Sequence, residues 1–295
     1  MQVITSKDNE LIKSIKKLKE KKYRDAYNKY IIEGIKIVGE AIQEKADIEY
    51  VVICEDCMNE NIFDKKLMYE IAKLNCIYVT SKVFASITEV SNPQGILAVI
   101  KRAEKSQKIN YKEDVIIVLD GIQDPGNLGT ILRTVDSANL KQIVISNDTA
   151  DAFNSKVVRS TMGAIFRVNI IKSDDLIKDL INMKKNGFKI VVTALDTNDS
   201  IYDIDYMKKV IVIGNEANGV SQEVQEIADN KVKIPMLGKT ESLNASVAAG
   251  IMIYEYVRLK LGGVSGDRAF WQPIFCQKAL SPLTKKLPLH WHPST

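Results

Sequence analysis

The chain alternates short β-branched runs with apolar positions at helical spacing over most of its length. Leu11, Ile12, Ile15 and Leu18 recur on one helical face, which predicts an amphipathic helix within the first thirty residues, and 31–42 repeats the period as a second helix. Strand-like runs at 48–53, 76–79 and 95–100 enclose helical patterns at 64–74 and 82–87, as in a small α/β domain. Residues 101–114 are charged and have little apolar period, which reads as a linker.

A second α/β unit opens at 115–119, a continuous apolar run typical of a strand buried on both faces of a parallel sheet. Further strand-like runs at 142–146, 166–170, 189–193, 210–213 and 231–234 alternate with helical patterns, so a mostly parallel sheet covered by helices is expected. A last helix is expected from about 241 to 260. It carries small residues early (Ala245, Ser246, Ala248, Ala249, Gly250), which predicts a tightly packed first half. The expected organisation is 1–103, a small α/β domain; 104–114, a linker; 115–261, a mostly parallel-sheet domain; and 262–295, a tail. The tail holds Trp271, Trp291, His290, His292 and four of the seven prolines, shows no amphipathic period, and is given no functional role.

Composition changes this picture little. The hydrophobic and charged fractions, 45% and 26%, are those of a soluble globular chain, not of a disordered one. No apolar run approaches the ~20 residues of a membrane helix, and the opening residues do not read as a signal peptide. A cytoplasmic protein with no membrane partner is expected. The cysteines (Cys54, Cys57, Cys76, Cys276) are scattered, so reduced thiols are expected. A lone C-x-x-C, with both histidines at the far C-terminus, does not make a zinc site, and no metal is expected. Net charge is only +4, but nine basic side chains face four acidic ones in the first thirty residues, with Tyr23, Tyr27 and Tyr30 among them. A solvated helix face accounts for the lysines alone, and the interleaved tyrosines favour RNA.

The chemistry sits where apolar runs end. Gly121, Gly126, Gly129, Gly214 and Gly219 follow strand-like segments, the usual place for ligands in an α/β sheet. Neither strand-end loop contains G-x-G-x-x-G. Gly214 and Gly219 have the spacing of a Walker pair, but Val220-Ser221 replaces the Lys-Ser/Thr it requires, which disfavours a P-loop NTPase or a dinucleotide-binding domain. Taken singly, Asn127 reads as a helix cap, Arg133 as a surface side chain, Glu216 as part of a turn, and Ser242 and Asn244 as caps of the last helix. Those readings leave unexplained why three segments of one domain are punctuated alike.

Together the segments N-L-G-x-x-x-R (Asn127 to Arg133), I-G-N-E-x-x-G-V (Ile213 to Val220) and I-P-M-x-G-x-x-E-S-L-N-A-S-V-A (Ile234 to Ala248) resemble the three ordered motifs of the SpoU (TrmH-like) RNA ribose 2′-O-methyltransferases of the SPOUT class. The match spans roughly 115–261. The N-terminal region resembles, more loosely, the RNA substrate-binding domain of the ribosomal-RNA members. The resemblance implies a trefoil-knotted catalytic domain, S-adenosyl-L-methionine as cofactor and a homodimer. Knots are rare exceptions to ordinary chain topology, and no periodicity reveals one. By motif position, Gly214, Ile234 and Leu243 would line the cofactor pocket. Asn127 and Arg133 would meet the ribose, and Glu216, Ser242 and Asn244 would complete the site across the dimer interface.

The implied reaction is attack of a ribose 2′-oxygen on a sulfonium methyl, helped mainly by alignment and partial desolvation. The family assigns the general-base role to the motif arginine, yet a guanidinium, with a pKa above ~12, hardly deprotonates in proteins. Either Arg133 accepts the proton, or it stays charged, holds a phosphate and polarises the hydroxyl. A separate N-terminal domain favours folded 23S ribosomal RNA as substrate over transfer RNA. The alternatives are a tRNA ribose 2′-O-methyltransferase and a noncatalytic RNA-binding ribosome-assembly factor.

Overall fold

The computed structural model describes residues 3–57, 65–102, 108–240 and 242–262. The expectations for Glu241 and for the tail beyond Gly262 lie outside them. The first part of the chain runs β1 (Val3–Ile4), α1 (Glu10–Lys17), α2 (Lys21–Tyr27), β2 (Lys29–Glu33), α3 (Ile35–Gln43), β3 (Ile48–Cys54), α4 (Lys65–Ile71), β4 (Cys76–Val79), α5 (Ser81–Ile87) and β5 (Ile96–Lys101). Its strands form a mixed sheet in the order β1-β4-β3-β5-β2, with β5 antiparallel to both neighbours.

The sheet corrects the expected helix at 31–42. Lys29–Glu33 pairs in register with β5, and the helix starts only at Ile35. The break is Gly34, at φ +113, a conformation that L side chains rarely adopt. The Gln94 side-chain oxygen then accepts from the Ile35 N–H at 2.9 Å and ties the new helix end to the β5 side. The basic N-terminal helix is likewise two helices, α1 and α2, with Leu18–Glu20 between them. Two residues of this basic, tyrosine-bearing segment are buried: Tyr30 lies in β2, and Arg24 is held by Asp151 at 2.5 Å.

The second part runs β6 (Val115–Asp120), α6 (Pro125–Ser137), β7 (Gln142–Ile145), α7 (Ser155–Ser160), α8 (Ala164–Arg167), β8 (Asn169–Lys172), α9 (Leu176–Lys185), β9 (Lys189–Thr193), β10 (Lys209–Gly214), α10 (Gln222–Glu226), β11 (Asn230–Val232) and α11 (Ala245–Lys260). All strand pairs of this sheet, ordered β11-β9-β10-β6-β7-β8, are parallel. Alternation along β6 explains its unbroken apolar run. Val115, Ile117 and Leu119 pack into the cluster that holds Leu128, Ile131, Leu132 and Met252. Ile116 and Val118 pack on the other face with Leu180, Met183 and Phe188. The strand expected at 166–170 is displaced to 169–172, because Gly163 at φ +90 starts the short helix α8. The last helix starts at Ala245, not near 241. Its small residues divide: Ala245 and Ala249 are buried, but a Cβ on Gly250 would meet nothing within 4 Å. Among the described residues, no helix is long and apolar enough to cross a membrane.

The segment read as a linker is not a free tether in its described half. Ile109 and Tyr111 pack on the α9 side of the second sheet, and Gln142 exchanges hydrogen bonds with Asn110 at 2.7 and 2.8 Å. Cys54 is disulfide-bonded, against the expectation of reduced thiols, while Cys76 is free. The side chain of its partner lies outside the described residues, and sequence spacing alone does not report which thiols meet.

The contacts that join the two sheets' domains include an aromatic pair and the ion pairs of two arginines. Phe153 packs on Tyr30 with ring centroids 4.9 Å apart. Arg167 binds Asp136 of α6 at 2.9 Å, Glu40 of α3 at 2.8 Å and Glu44, the residue after α3, at 3.2 Å. The Asp136 hydrogen bond leads in raising the Arg167 pKa, with burial opposing and Glu40 and Glu44 assisting. The third contact is Arg24–Asp151, with side chains only 5% and 14% exposed. Removing one partner of so buried a pair strands the other, so Asp151→Ala should destabilise the protein by about 3 kcal/mol or more in urea unfolding. A loss under about 1 kcal/mol, the surface-pair value, would contradict the packing described.

Candidate active site

The site lies at the C-terminal edge of the parallel sheet, where β6 and β10 end side by side, Gly214 in register with Asp120. After β6, Gly121 turns the chain at φ +75, and Pro125 opens α6 as its first residue. The N-cap is Asp124, whose carboxylate accepts from the Asn127 N–H at 2.8 Å. Asn127 is therefore not the cap; it lies inside the first turn and frees its side chain for other partners. The Asp124 carboxyl is held below its usual range, first by that backbone hydrogen bond.

The Asn127 side chain is bound at both ends. Its Nδ2 donates to Glu216 Oε1 at 2.8 Å, and its Oδ1 accepts from Asn244 Nδ2 at 3.0 Å. Each of the three sequence segments contributes one member. Glu216 also accepts from the backbone N–H groups of Gln123 and Asp124, both at 3.3 Å. Burial pushes its carboxyl up, but the Asn127 amide and the surrounding backbone donors outweigh it, and the net shift is downward from 4.5. Asn244 fixes the start of α11, its Oδ1 accepting from the Ser246 and Val247 N–H groups at 2.9 and 3.3 Å. The capping reading and the site reading of Asn244 thus hold together, through different atoms of one amide.

The lowered Glu216 carboxyl sets a sign for pH. A carboxylate whose folded pKa lies below its unfolded value contributes stability in full above the unfolded value and loses it as pH falls through the folded one. The wild type should lose stability relative to Glu216→Gln as pH drops from about 6 to below 4. Urea midpoints measured across that range check this; parallel pH profiles would contradict the assigned network.

The remaining predicted residues are placed apart. Arg133 follows Asn127 by six residues, about 9 Å along the helix and about 120° around it. It is exposed and has no hydrogen-bond or ion-pair partner among the described residues. Ser242 is exposed, also with no partner, so it is not joined to the Asn127 network. Asn127, Glu216 and Asn244 meet within one chain.

Gly214 is the last residue of β10, and Ile234 and Leu243 lie in the segment between β11 and α11. A Cβ on Gly214 would lie 2.1 Å from the backbone of Gly219 and Val220, so only glycine allows that turn to close. Asn215 and Gly219 exchange backbone hydrogen bonds at 2.8 and 2.9 Å, and the Asn215 amide donates to the Gly121 carbonyl at 2.7 Å. Ile234 packs half-buried against the α6–α11 core, and Leu243 is half-buried. In contrast to the 215–219 turn, no described backbone N–H from Ile234 to Leu243 has a hydrogen-bond partner. The N–H groups from Leu195 to Asn198, beyond the neighbouring β9, are also unpaired. Leu195 and Leu237 stand exposed on these loops. Unpaired backbone donors beside exposed aliphatic groups suit an adenine, which needs edge hydrogen bonds and apolar cover for its faces.

Sequence reasoning missed Asp124, Asn215, Leu195 and Leu237. The Asp-Pro-Gly start of α6 carries a cap signature that would have found Asp124; the exposed leucines carry no local signal.

Fold and site together define an α/β protein that gathers a polar network and open backbone loops at one edge of a parallel sheet. The model of the SpoU rRNA Methylase family matches residues 114–254, and that of the MRM3-like substrate binding domain matches 9–98. A Bacillus subtilis relative, the 23S rRNA (guanosine(2553)-2′-O)-methyltransferase RlmP, is 32% identical over 86% of this chain and 98% of its own length. The AdoMet-bound rRNA methyltransferase from Sinorhizobium meliloti superposes with a TM-score of 0.76 at 30% identity, over 90% of this chain and 99% of that one. The SpoU methyltransferase AviRb from Streptomyces viridochromogenes shares the fold, with a TM-score of 0.76 at 22% identity, over 87% of this chain and 100% of that one. The chain belongs to the SpoU rRNA methylase family.

Proposed function

We propose that this protein is an S-adenosylmethionine-dependent RNA ribose 2′-O-methyltransferase acting on 23S ribosomal RNA. The observation that carries the reading is the Asn127 side chain bound at both ends, by Glu216 and Asn244, which draws all three motifs to one point at the sheet edge. The named activity of the Bacillus subtilis relative and the AdoMet bound in the Sinorhizobium meliloti structure support the substrate class and the cofactor. In this reading 1–103 is the RNA substrate-binding domain, 104–114 the linker and 115–261 the knotted catalytic domain. The RNA substrate makes the protein a cytoplasmic one.

S-adenosylmethionine, when bound, would supply a sulfonium methyl group for transfer to the ribose 2′-oxygen. Gly214 at the end of β10, with Ile234 and Leu243 beyond β11, would hold it through backbone groups, and the exposed Leu195 and Leu237 would offer apolar surface beside it. Glu216, already held by three donors and with its carboxyl lowered, anchors Asn127 and does not act as base. Asn127 and Asn244 position the ribose. Arg133 keeps its charge, binds the phosphate beside the target ribose and polarises the hydroxyl; the proton leaves to water. Ser242 contributes to the ribose side of the site once RNA is bound.

A homodimer completes this arrangement. Helices α6 and α11 run side by side in parallel, as Asn127–Asn244 and Ser137–Tyr254, ten residues further along both helices, are hydrogen-bonded. Their outer face presents Arg133, Val247, the open Gly250 and Tyr254. Pairing through this face brings Arg133 of one protomer to the site of its partner. Sedimentation at a two-protomer mass supports it, and a one-protomer mass refutes it. Ribose-methylation mapping of 23S ribosomal RNA from cells with and without the gene tests the activity. One methylated position lost with the gene supports it; an unchanged map, with a position lost in transfer RNA, overturns the ribosomal assignment.

A further inference from the structure

A cleft of about 530 Å³ opens between the two sheets' domains, away from the Asn127 network. Its walls come from α2, β2 and the ends of α3 and β5 on one side, and from the ends of β7 and β8 and residues 149–153 on the other. The apolar part includes Tyr30 and Phe153, with the Arg102 guanidinium stacked on the Phe153 ring at 4.3 Å. Lys21 and Lys45 stand at the rim, exposed and without an ion-pair partner among the described residues.

Two further observations point to a ligand. Tyr30 is only 3% exposed and lines the cleft, yet its hydroxyl has no hydrogen-bond partner. The Arg102 Nε and Nη2 groups are buried and unpaired, although Nη1 binds Asp25 at 2.8 Å. Buried groups such as those of Arg102 are ordinarily satisfied, and an acceptor in the cleft would give them, and the Tyr30 hydroxyl, a partner. The carboxylates that line it are already engaged: Asp25 by Arg102, Asp151 by Arg24, Glu44 by Arg167 and Asp47 by Lys101. The free charge is therefore positive, and it sits beside an aromatic floor. That combination fits a nucleotide, whose base stacks and whose phosphate is anionic.

We infer that this cleft binds an unpaired ribonucleotide of the RNA substrate, its base near Tyr30 and Phe153 and its phosphates on Arg102, Lys21 and Lys45. The site rests on the function proposed above and extends it with a second point of attachment. The cleft takes in the C-terminal ends of β7 and β8, on the edge of the sheet that also carries the Asn127 network, three strand spacings or about 14 Å from β8 to β10. One strand of RNA can therefore engage the cleft and the catalytic edge together, so the cleft sets which nucleotide reaches the site.

The test uses the full-length protein and a fluorescein-labelled single-stranded oligoribonucleotide carrying 4-thiouridine. Anisotropy should show the Lys21→Ala, Lys45→Ala double variant binding about tenfold more weakly, with a log–log salt slope shallower by about 1.4, as for two lost phosphate contacts. Tyr30→Phe, which removes one oxygen and keeps the packing, should weaken binding about threefold. Photo-cross-links should map to the peptides that carry Tyr30 and Phe153. Wild-type affinity and slope in the double variant, or cross-links confined to other peptides, would overturn the proposal. Methyl transfer to 23S ribosomal RNA by the same proteins separates this site from the activity. A raised KM with unchanged kcat in the double variant supports the cleft. Transfer identical to wild type refutes the cleft and leaves the activity standing, whereas no transfer by the wild type refutes the activity while the binding data still decide the cleft.

Discussion

Replacing Arg133 with alanine is expected to lower kcat for methyl transfer by about 10³-fold, the loss typical of removing one preorganised charge-stabilising group. Stability should hardly change, because Arg133 is exposed and its side chain has no hydrogen-bond or ion-pair partner among the described residues. RNA affinity should fall by less than about threefold, since one phosphate contact among many is lost. Arg133→Lys should rescue little, as an ammonium lacks the planar fork that engages phosphate and hydroxyl at once. Single-turnover kinetics with saturating RNA check the assignment. Equal losses of turnover and of affinity would make Arg133 a binding residue and favour a noncatalytic RNA-binding factor.

Gly214→Ala is expected to produce the largest loss of stability at any single residue of the site. The new methyl would stand 2.1 Å from the Gly219 carbonyl carbon and the Val220 nitrogen, and 2.4 Å from the Gly219 oxygen. These are backbone atoms and cannot rotate aside. Gly214 ends a strand paired on both sides, so relief requires opening the 215–219 turn or bending β10. A cost of about 3 kcal/mol or more is expected, at the top of the range for overpacking. Gly219→Ala is the control: space is open there and only its φ of +69 opposes a side chain, so about 1 kcal/mol is expected. Opening the turn also displaces Glu216, so the Gly214 variant should lose cofactor binding together with stability. Urea unfolding and cofactor titration of both variants test this. A Gly214 variant as stable as the Gly219 one would mean that the turn is not closed as described.

The parallel sheet was legible because its strands are buried on both faces, and a run such as 115–119 then admits few other readings. The N-terminal errors have a common cause. At 31–33 a β-branched run and a helical period coincide over too few residues to separate, and the deciding feature is the backbone of Gly34. Arg24, one of the nine basic side chains in the first thirty residues, is buried against Asp151, 127 positions away, a partner that local pattern does not reveal. At the site, motif order identified Asn127, Glu216 and Asn244, and local pattern could not show that one amide links them. Nor could it show that Arg133, on the same helix, faces elsewhere. That separation follows from helix geometry once Asp124 is known to be the cap, and it is what makes a second protomer necessary to the proposed mechanism.

The central claim is that the methyl group goes to a ribose oxygen of 23S ribosomal RNA. The most direct measurement is transfer of labelled methyl from S-adenosylmethionine to 23S ribosomal RNA from cells lacking the gene, followed by alkaline hydrolysis. A 2′-O-methyl group removes the hydroxyl that alkali needs, so the account predicts label confined to alkali-resistant dinucleotides, with none from the Arg133→Ala protein. Label released in mononucleotides would place the methyl on a base and contradict the account.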